Sequence, residues 1–256
     1  MKKLNIAIVG LGNIGSYLFK YLNENKDILT EKNNCIPNIA YVSAKNKKRR
    51  RSIKIKNNQW LKNYLDATTN KNIDLIVELI GGAEGPAKKL VFNALKNKKH
   101  VVTANKALIA KYGDQLSKIA EKNRVNLEFE AAVCGGVPII RSLKESLIAN
   151  KISKIYGIFN GTSNYILSEM DKQNKSFNEV LSNAKKLGYA EANPSADLNG
   201  DDVAAKLKIL SSLCFNSFLN HNIYVEGIKE IDKRDIDNAN KLGYKIKLLG
   251  YAEILN

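Results

Sequence analysis

The segment from Gly188 to Lys206, GYAEANPSADLNGDDVAAK, sets four carboxylates, Glu191, Asp197, Asp201 and Asp202, ahead of its first cation, Lys206. Acids gathered beside one lysine can hold an ammonium group and can pass a proton to a reacting oxygen. Asp202 and Lys206 are four residues apart, so a helix would present both on one face. A free lysine titrates near about 10.4, and neighbouring carboxylates favour its charged form, which suits a proton donor. Taken alone, the spacing equally describes a surface ion pair worth about 0.3–0.5 kcal/mol. Asp197 and Asp201 either contact a ligand or shape the loop and the helix start; the supporting role is the expected one.

A second candidate lies at the other end of the chain. LNIAIVG (4–10) is a short Ile/Val-rich run suited to a buried parallel strand, and GLGNIG follows at once. Gly10, Gly12 and Gly15 stand in G-x-G-x-x-G spacing, with Asn13 and Ile14 between the last two. SYLFKYLNENKDIL then carries apolar residues at helical intervals. A dinucleotide site requires this order of strand, glycine turn and helix. The first glycine permits the turn, the second lets backbone approach a pyrophosphate, and the third lets helix and strand pack closely. NIAYVSA (38–44) reads as the second strand, whose end carries an acid in a site built for NAD. Here Lys45, Asn46, Lys47, Lys48, Arg49, Arg50 and Arg51 follow instead. That run favours the 2′-phosphate of NADP, with Lys45 as the nearest candidate and NAD as the alternative; part of it must be an ordinary solvated loop.

The elements that must position these residues alternate. NIDLIVELIGG (72–82) reads as a strand ending in a glycine turn, GPAKKLVFNALKNKK as a helix opened by Pro86, and HVVTANK as a strand leading to Lys106. A helix over 107–123 and a strand VNLEFEAAV complete a parallel, doubly wound Rossmann-type sheet over residues 1–133. From Cys134 the pattern changes. CGGVPIIRSLKESLIAN opens on a glycine pair and Pro138 and predicts a helix, and KISKIYGIFNG alternates like a half-buried strand. TSNYILSEMDK, with Thr162 as N-cap, SFNEVLSNAKKLG and GDDVAAKLKILSSLCF predict helices. Residues 134–256 thus read as a smaller α+β substrate domain, which the resemblance described below implies is also the dimerisation domain.

Composition excludes several classes. Among 256 residues, 41 Lys and Arg against 25 Asp and Glu give a net charge of +16. The cations are spread along the chain and no nucleic-acid recognition motif accompanies them, so dedicated nucleic-acid binding is not expected. The start, MKKLNIAIVGLG, imitates a signal peptide, but Asn5 and Asn13 interrupt the apolar run and a first strand fits better. No apolar run is long enough to span a bilayer. Cys35, Cys134 and Cys214 form no C-x-x-C pair, and His100 and His221 are the two histidines, which argues against a disulfide framework or a zinc site. A reducing cytoplasm fits. Cys134 reads as a small buried filler in preference to a nucleophile, since no histidine base is near it in sequence.

VVTANKALIA, FEAAVCGGVPIIRSLKESL, GIFNGTSNYIL and GYAEANPSADLNGDDVAAKLKIL together resemble homoserine dehydrogenase, collinear from GLGNIG to LGYKIKLLG. The resemblance implies reduction of L-aspartate 4-semialdehyde to L-homoserine with NAD(P)H, on the route to threonine and methionine, in a homodimer. It implies that Lys206 is the acid/base lysine, that Glu191 and Asp202 hold the substrate amino group, and that Gly188 contacts substrate through its backbone. It further implies that Lys106 lies between cofactor and substrate and that Thr103 and Ala104 contact the cofactor. Glu130, Val133, Gly135 and Val137 resemble a monovalent-cation site, where one carboxylate and three carbonyls would take a hard ion such as sodium. Asn160 and Thr162 in NGTSNY either line the cleft or only form a turn.

Two departures from the family pattern stand out. Asn193 replaces a common aspartate, and the chain stops at KLLGYAEILN where family members continue, predicting an exposed sheet edge. Two rival readings are another NAD(P) oxidoreductase of a small amino acid and an inactive, truncated NADP-binding remnant.

Overall fold

The computed structural model describes residues 1–215 and 223–255; His221 lies outside the described residues. Two compact units divide the chain, Met1–Pro138 and Ile139–Asn256, a few residues beyond the expected break at 133.

In the first unit the elements run β1 (Lys2–Val9), α1 (Asn13–Glu24), α2 (Lys26–Asn33), β2 (Cys35–Ser43), α3 (Asp66–Thr69), β3 (Leu75–Glu78), α4 (Pro86–Lys96), β4 (His100–Thr103), α5 (Lys106–Asn123) and β5 (Leu127–Glu128). All strand pairs are parallel, in the order β2-β1-β3-β4-β5. The chain steps from β1 to β2 on one side and then crosses to β3 on the other, so the strand order reverses beside β1. In such sheets the crevice at the strand C-termini next to the reversal receives ligands. Ile6 to Val9 are buried in succession, which a parallel strand covered on both faces requires. Ile6, Ile8, Leu11, Phe19, Ile39, Val42 and Val77 make the core beneath the first turn.

Several boundaries differ from expectation. The single helix expected after Gly15 breaks at Asn25, which leaves helical geometry at φ −106° and ψ 19°, giving α1 and α2. The strand expected over 125–133 shrinks to Leu127–Glu128 because Glu130–Ala132 winds into a 3₁₀ turn.

In the second unit α6 (Ile139–Arg141), β6 (Lys154–Gly157), α7 (Gly161–Gln173), α8 (Phe177–Lys186), α9 (Ser195–Leu198), α10 (Asp201–Cys214), α11 (Lys233–Lys241) and β7 (Gly250–Glu253) follow. The helix expected from Cys134 starts only after Pro138 and passes from α6 into a π turn over Ser142–Ser146. The expected strand over 151–161 keeps only β6, paired antiparallel with β7; neither strand has another neighbour among the described residues. Ile166, Leu167, Met170, Val180, Ala184, Leu198, Ile228 and Ile236 form the helical core.

Two helix starts correct the sequence reading. Asn160, not Thr162, caps α7: its Oδ1 accepts from Ser163 N–H at 2.8 Å, which reserves the position for a short polar side chain. Helix α11 was not anticipated. Its capping box pairs Asp232 with Asp235, where the usual signal has Glu or Gln at the second place.

Candidate active site

The first candidate region is built from backbone. Gly10 follows β1 at φ +110°, and its N–H donates to the Ser43 carbonyl at 2.9 Å. A Cβ on Gly10 would stand 2.4 Å from the Leu79 carbonyl carbon, and one on Gly15 would stand 2.0 Å from the Gly10 carbonyl oxygen. Gly12 faces open space and is the N-cap of α1, with no side chain to occupy the first-turn amides. Those amides, at the positive end of a helix, are free to meet an anion. Gly12, Asn13, Ile14 and Gly15 line a cavity of about 400 Å³ with Leu79 and Arg49. Arg49, Arg50 and Arg51 also border an adjoining cavity of about 420 Å³ with Lys20 and Tyr17. Lys45 is exposed on the same loop. Arg51 anchors that loop by donating from Nε to the Leu11 carbonyl at 3.1 Å. Lys47 and Arg51 stand over the ring of Trp60, at 5.3 and 5.7 Å from its centroid.

At the ends of β3 and β4, Thr103 is buried, Ala104 and Lys106 are half-buried, and Lys106 opens α5. Asn105 caps that helix by accepting from Leu108 N–H at 3.1 Å. Glu130, Val133, Gly135 and Val137 share the irregular stretch after β5, with Val133 buried, Glu130 half-buried and Gly135 at φ +60°. No cluster of three or more His, Cys, Asp or Glu able to hold a metal stands among the described residues; a cation here would rest on the single carboxylate of Glu130 and on carbonyls.

The second candidate region is built from side chains. Lys206 Nζ lies 2.7 Å from Asp202 Oδ2, and it donates to the Phe159 carbonyl at 2.7 Å. Asp202 is 4% exposed and Lys206 15%. A pair this buried is unlike a surface i,i+4 contact, because removing one partner strands the other charge away from water. Asn160 Nδ2 donates to Asp202 Oδ2 at 2.9 Å and to Asp197 Oδ1 at 2.7 Å. Ser163 Oγ donates to the Asp197 carbonyl at 2.8 Å. One buried amide thus caps α7 and ties α9 to the head of α10. Thr162 Oγ1 donates to the Tyr189 carbonyl at 2.8 Å, fixing the loop that carries Glu191.

Glu191 itself is exposed on that loop. Gly188, at φ +79°, ends α8: Tyr189 N–H reaches the Ala184 carbonyl and Gly188 N–H the Lys185 carbonyl. Its left-handed backbone is required for that helix stop. Asp201 is exposed in the first turn of α10, where a negative charge suits the helix dipole. One turn into α7, Asn164 Oδ1 is buried with no protein donor among the described residues.

Residues 10–130 match the family model for the homoserine dehydrogenase NAD binding domain, and residues 138–255 match the homoserine dehydrogenase model that follows it. The chain belongs to the homoserine dehydrogenase family. It is similar to the homoserine dehydrogenase of Neisseria gonorrhoeae, at 43% identity over 98% of this chain and 57% of that protein. The enzyme of Bacillus subtilis is 38% identical over 99% of this chain and 58% of its own length. The crystal structure of a homoserine dehydrogenase from Thiobacillus denitrificans superposes with a TM-score of 0.91 at 41% identity, covering all of this chain and 59% of that one. The chain therefore spans somewhat over half the length of these homoserine dehydrogenases. No helix among the described residues is long and apolar enough to cross a membrane.

Sequence reasoning left three residues unassigned that the fold makes central. Asn160 was left between lining the cleft and forming a turn, and its signal as a cap was a short polar residue just before a helix. Arg49 was one of several cations, and nothing in the run marks which of them faces the glycine turn. Glu78, inside the strand expected over 72–82, was not singled out and is fully buried.

Proposed function

We propose that the chain catalyses the reduction of aspartate semialdehyde to homoserine as a homoserine dehydrogenase. The observation that carries this reading is the ammonium of Lys206, held at 2.7 Å by both Asp202 and the Phe159 carbonyl at the head of α10. Bound at the glycine turn, a reduced nicotinamide cofactor supplies the hydride. The turn's fit to it rests on Gly10 and Gly15, whose added Cβ atoms would strike backbone, and on the uncapped start of α1. Lys206 gives its proton to the oxygen that becomes the alcohol. Asp202 holds the lysine in place and, with Glu191, meets the substrate ammonium, while Asp197 shapes the loop. Lys106 orients the substrate from the opening turn of α5, while Thr103 and Ala104 border the nicotinamide.

Arg49 and Arg50 support NADP over NAD, because β2 ends without an acid for a ribose 2′-hydroxyl. Glu130 and the carbonyls of Val133, Gly135 and Val137 offer the hard oxygen donors that a sodium ion takes. Two copies pair through the β6–β7 sheet, whose Tyr156 and Tyr251 are exposed side by side, 6.5 Å between centroids; light scattering on the purified chain tests the dimer.

Mixing the purified chain with NADPH and aspartate semialdehyde should consume the nicotinamide absorbance. An unchanged absorbance, with NADPH binding intact by calorimetry, overturns the activity and favours a binding remnant.

A further inference from the structure

Glu78 is the last residue of β3 and has no solvent exposure, although Ile76 and Val77 beside it show that apolar side chains fill this strand. A buried carboxylate costs free energy unless its oxygens are satisfied, and it persists where it fixes something an apolar residue could not. Oε1 accepts from the N–H groups of Ile80, at 2.7 Å, and Gly81, at 3.0 Å. It thereby folds the turn after β3 back onto its own strand. Oε2 accepts from Thr103 Oγ1 at 2.5 Å, and Thr103 is the residue that faces Glu78 in the β3–β4 register. Thr103 Oγ1 in turn accepts from Asn105 N–H at 3.0 Å. Asn105 Nδ2 donates to the Gly82 carbonyl at 2.8 Å, which returns the chain of bonds to the turn where it began.

The result is a closed ring of hydrogen bonds through Glu78, Thr103, Asn105 and Gly82. It joins the two turns at the C-terminal ends of β3 and β4. Asn105 is also the cap of α5, and Lys106 is the next residue. Whatever sets the backbone of Asn105 sets where Lys106 starts. We propose that Glu78 is a positioning residue which, through Thr103 and Asn105, fixes the opening of α5 and thereby the placement of Lys106. The functional weight of this rests on the proposed dehydrogenase reading, in which Lys106 orients substrate.

Glu78→Gln keeps size and shape. Its amide oxygen can still meet Ile80 and Gly81, but its NH₂ faces a hydroxyl that must donate in the native arrangement. Thr103→Val removes the hydroxyl with little change of volume, and Thr103→Ser restores it. Native-state hydrogen exchange should quicken about tenfold or more at Asn105 and Lys106 in Glu78→Gln and Thr103→Val, with the amides of Gly12 and Gly15 unchanged. Turnover should fall about 10- to 100-fold in both, the scale of a misplaced orienting group, while in Glu78→Gln NADPH binding read by its own fluorescence stays within about threefold. Thr103→Ser should recover both readouts. Adding Lys106→Ala to Glu78→Gln should cost less than it does in the parent chain, since the lysine is already displaced. Exchange and turnover near parental in Glu78→Gln, or losses that multiply with Lys106→Ala, would overturn the proposal. If Glu78→Gln fails to fold, the Thr103 pair carries the test. If the parent chain turns nothing over, the proposed activity falls, and the exchange comparison still decides whether Glu78 sets the turn.

Discussion

The turn at Gly10–Gly15 offers a ligand its main chain, whereas the head of α10 offers side chains. At the turn the decisive quantity is space: a Cβ at Gly15 would sit 2.0 Å from the Gly10 oxygen. At α10 it is charge and its partners: Lys206, Asp202, Asn160 and Asp197 form one connected group with one amide at its centre. A backbone site fails when something is added. A side-chain site fails when something is removed, and it can fail in rate while the fold stands.

The sharpest way to break this contrast is Lys206→Ala. Removing the proton donor should lower kcat by about 10²- to 10⁴-fold while leaving NADPH affinity unchanged, as steady-state kinetics beside calorimetry would show. A comparable loss of NADPH binding would dissolve the distinction between the two regions. Gly15→Ala should do the reverse. Forcing a methyl into a closed contact should cost about 1–3 kcal/mol of stability and abolish cofactor binding. Gly12→Ala, with φ −77° and nothing within 4 Å of the new carbon, should fold as the parent does yet bind NADPH about tenfold more weakly, about 1.4 kcal/mol. Equal stability losses for the two alanines would refute the steric reading.

Asn160→Ala tests whether one amide holds the side-chain site together. It removes the α7 cap and leaves two carboxylates short of a donor, so urea denaturation should show a loss of about 1–3 kcal/mol, together with lower turnover. The smallest effect is expected from Arg49→Ala, which should raise the NADPH dissociation constant several-fold, about 1 kcal/mol, and leave that for NADH nearly unchanged. The same substitution at Lys45 should do less; a larger effect there would return the phosphate contact to the strand end.

The fold was legible where periodicity was strong. The glycine turn, Pro86 opening α4, and the Asp202–Lys206 face of α10 all read directly from spacing. It was least legible where a local geometric choice decided the outcome. Asn25 interrupts a helix whose apolar pattern continues, and Glu130 turns a strand-like run into 3₁₀ backbone. Asn160 outbids Thr162 as a cap because its side-chain oxygen meets the Ser163 amide while Thr162 is committed to Tyr189. The acidic run at 191–202 was visible as a cluster, yet its members divide: Asp202 is buried and Asp197 bonded, while Glu191 and Asp201 face water. Sequence spacing cannot separate these, since only the packing of α7, α9 and α10 determines which carboxylates lose their water.

Trp60 is the single tryptophan of the chain, and it sits beneath the basic loop, bridged in parallel to Val42 at the end of β2. Its emission is therefore a built-in optical reporter, free of background from any other indole. Cations resting on an indole ring alter its fluorescence, so an adenosine phosphate that draws Lys47 or Arg51 off that face would announce itself without any attached dye.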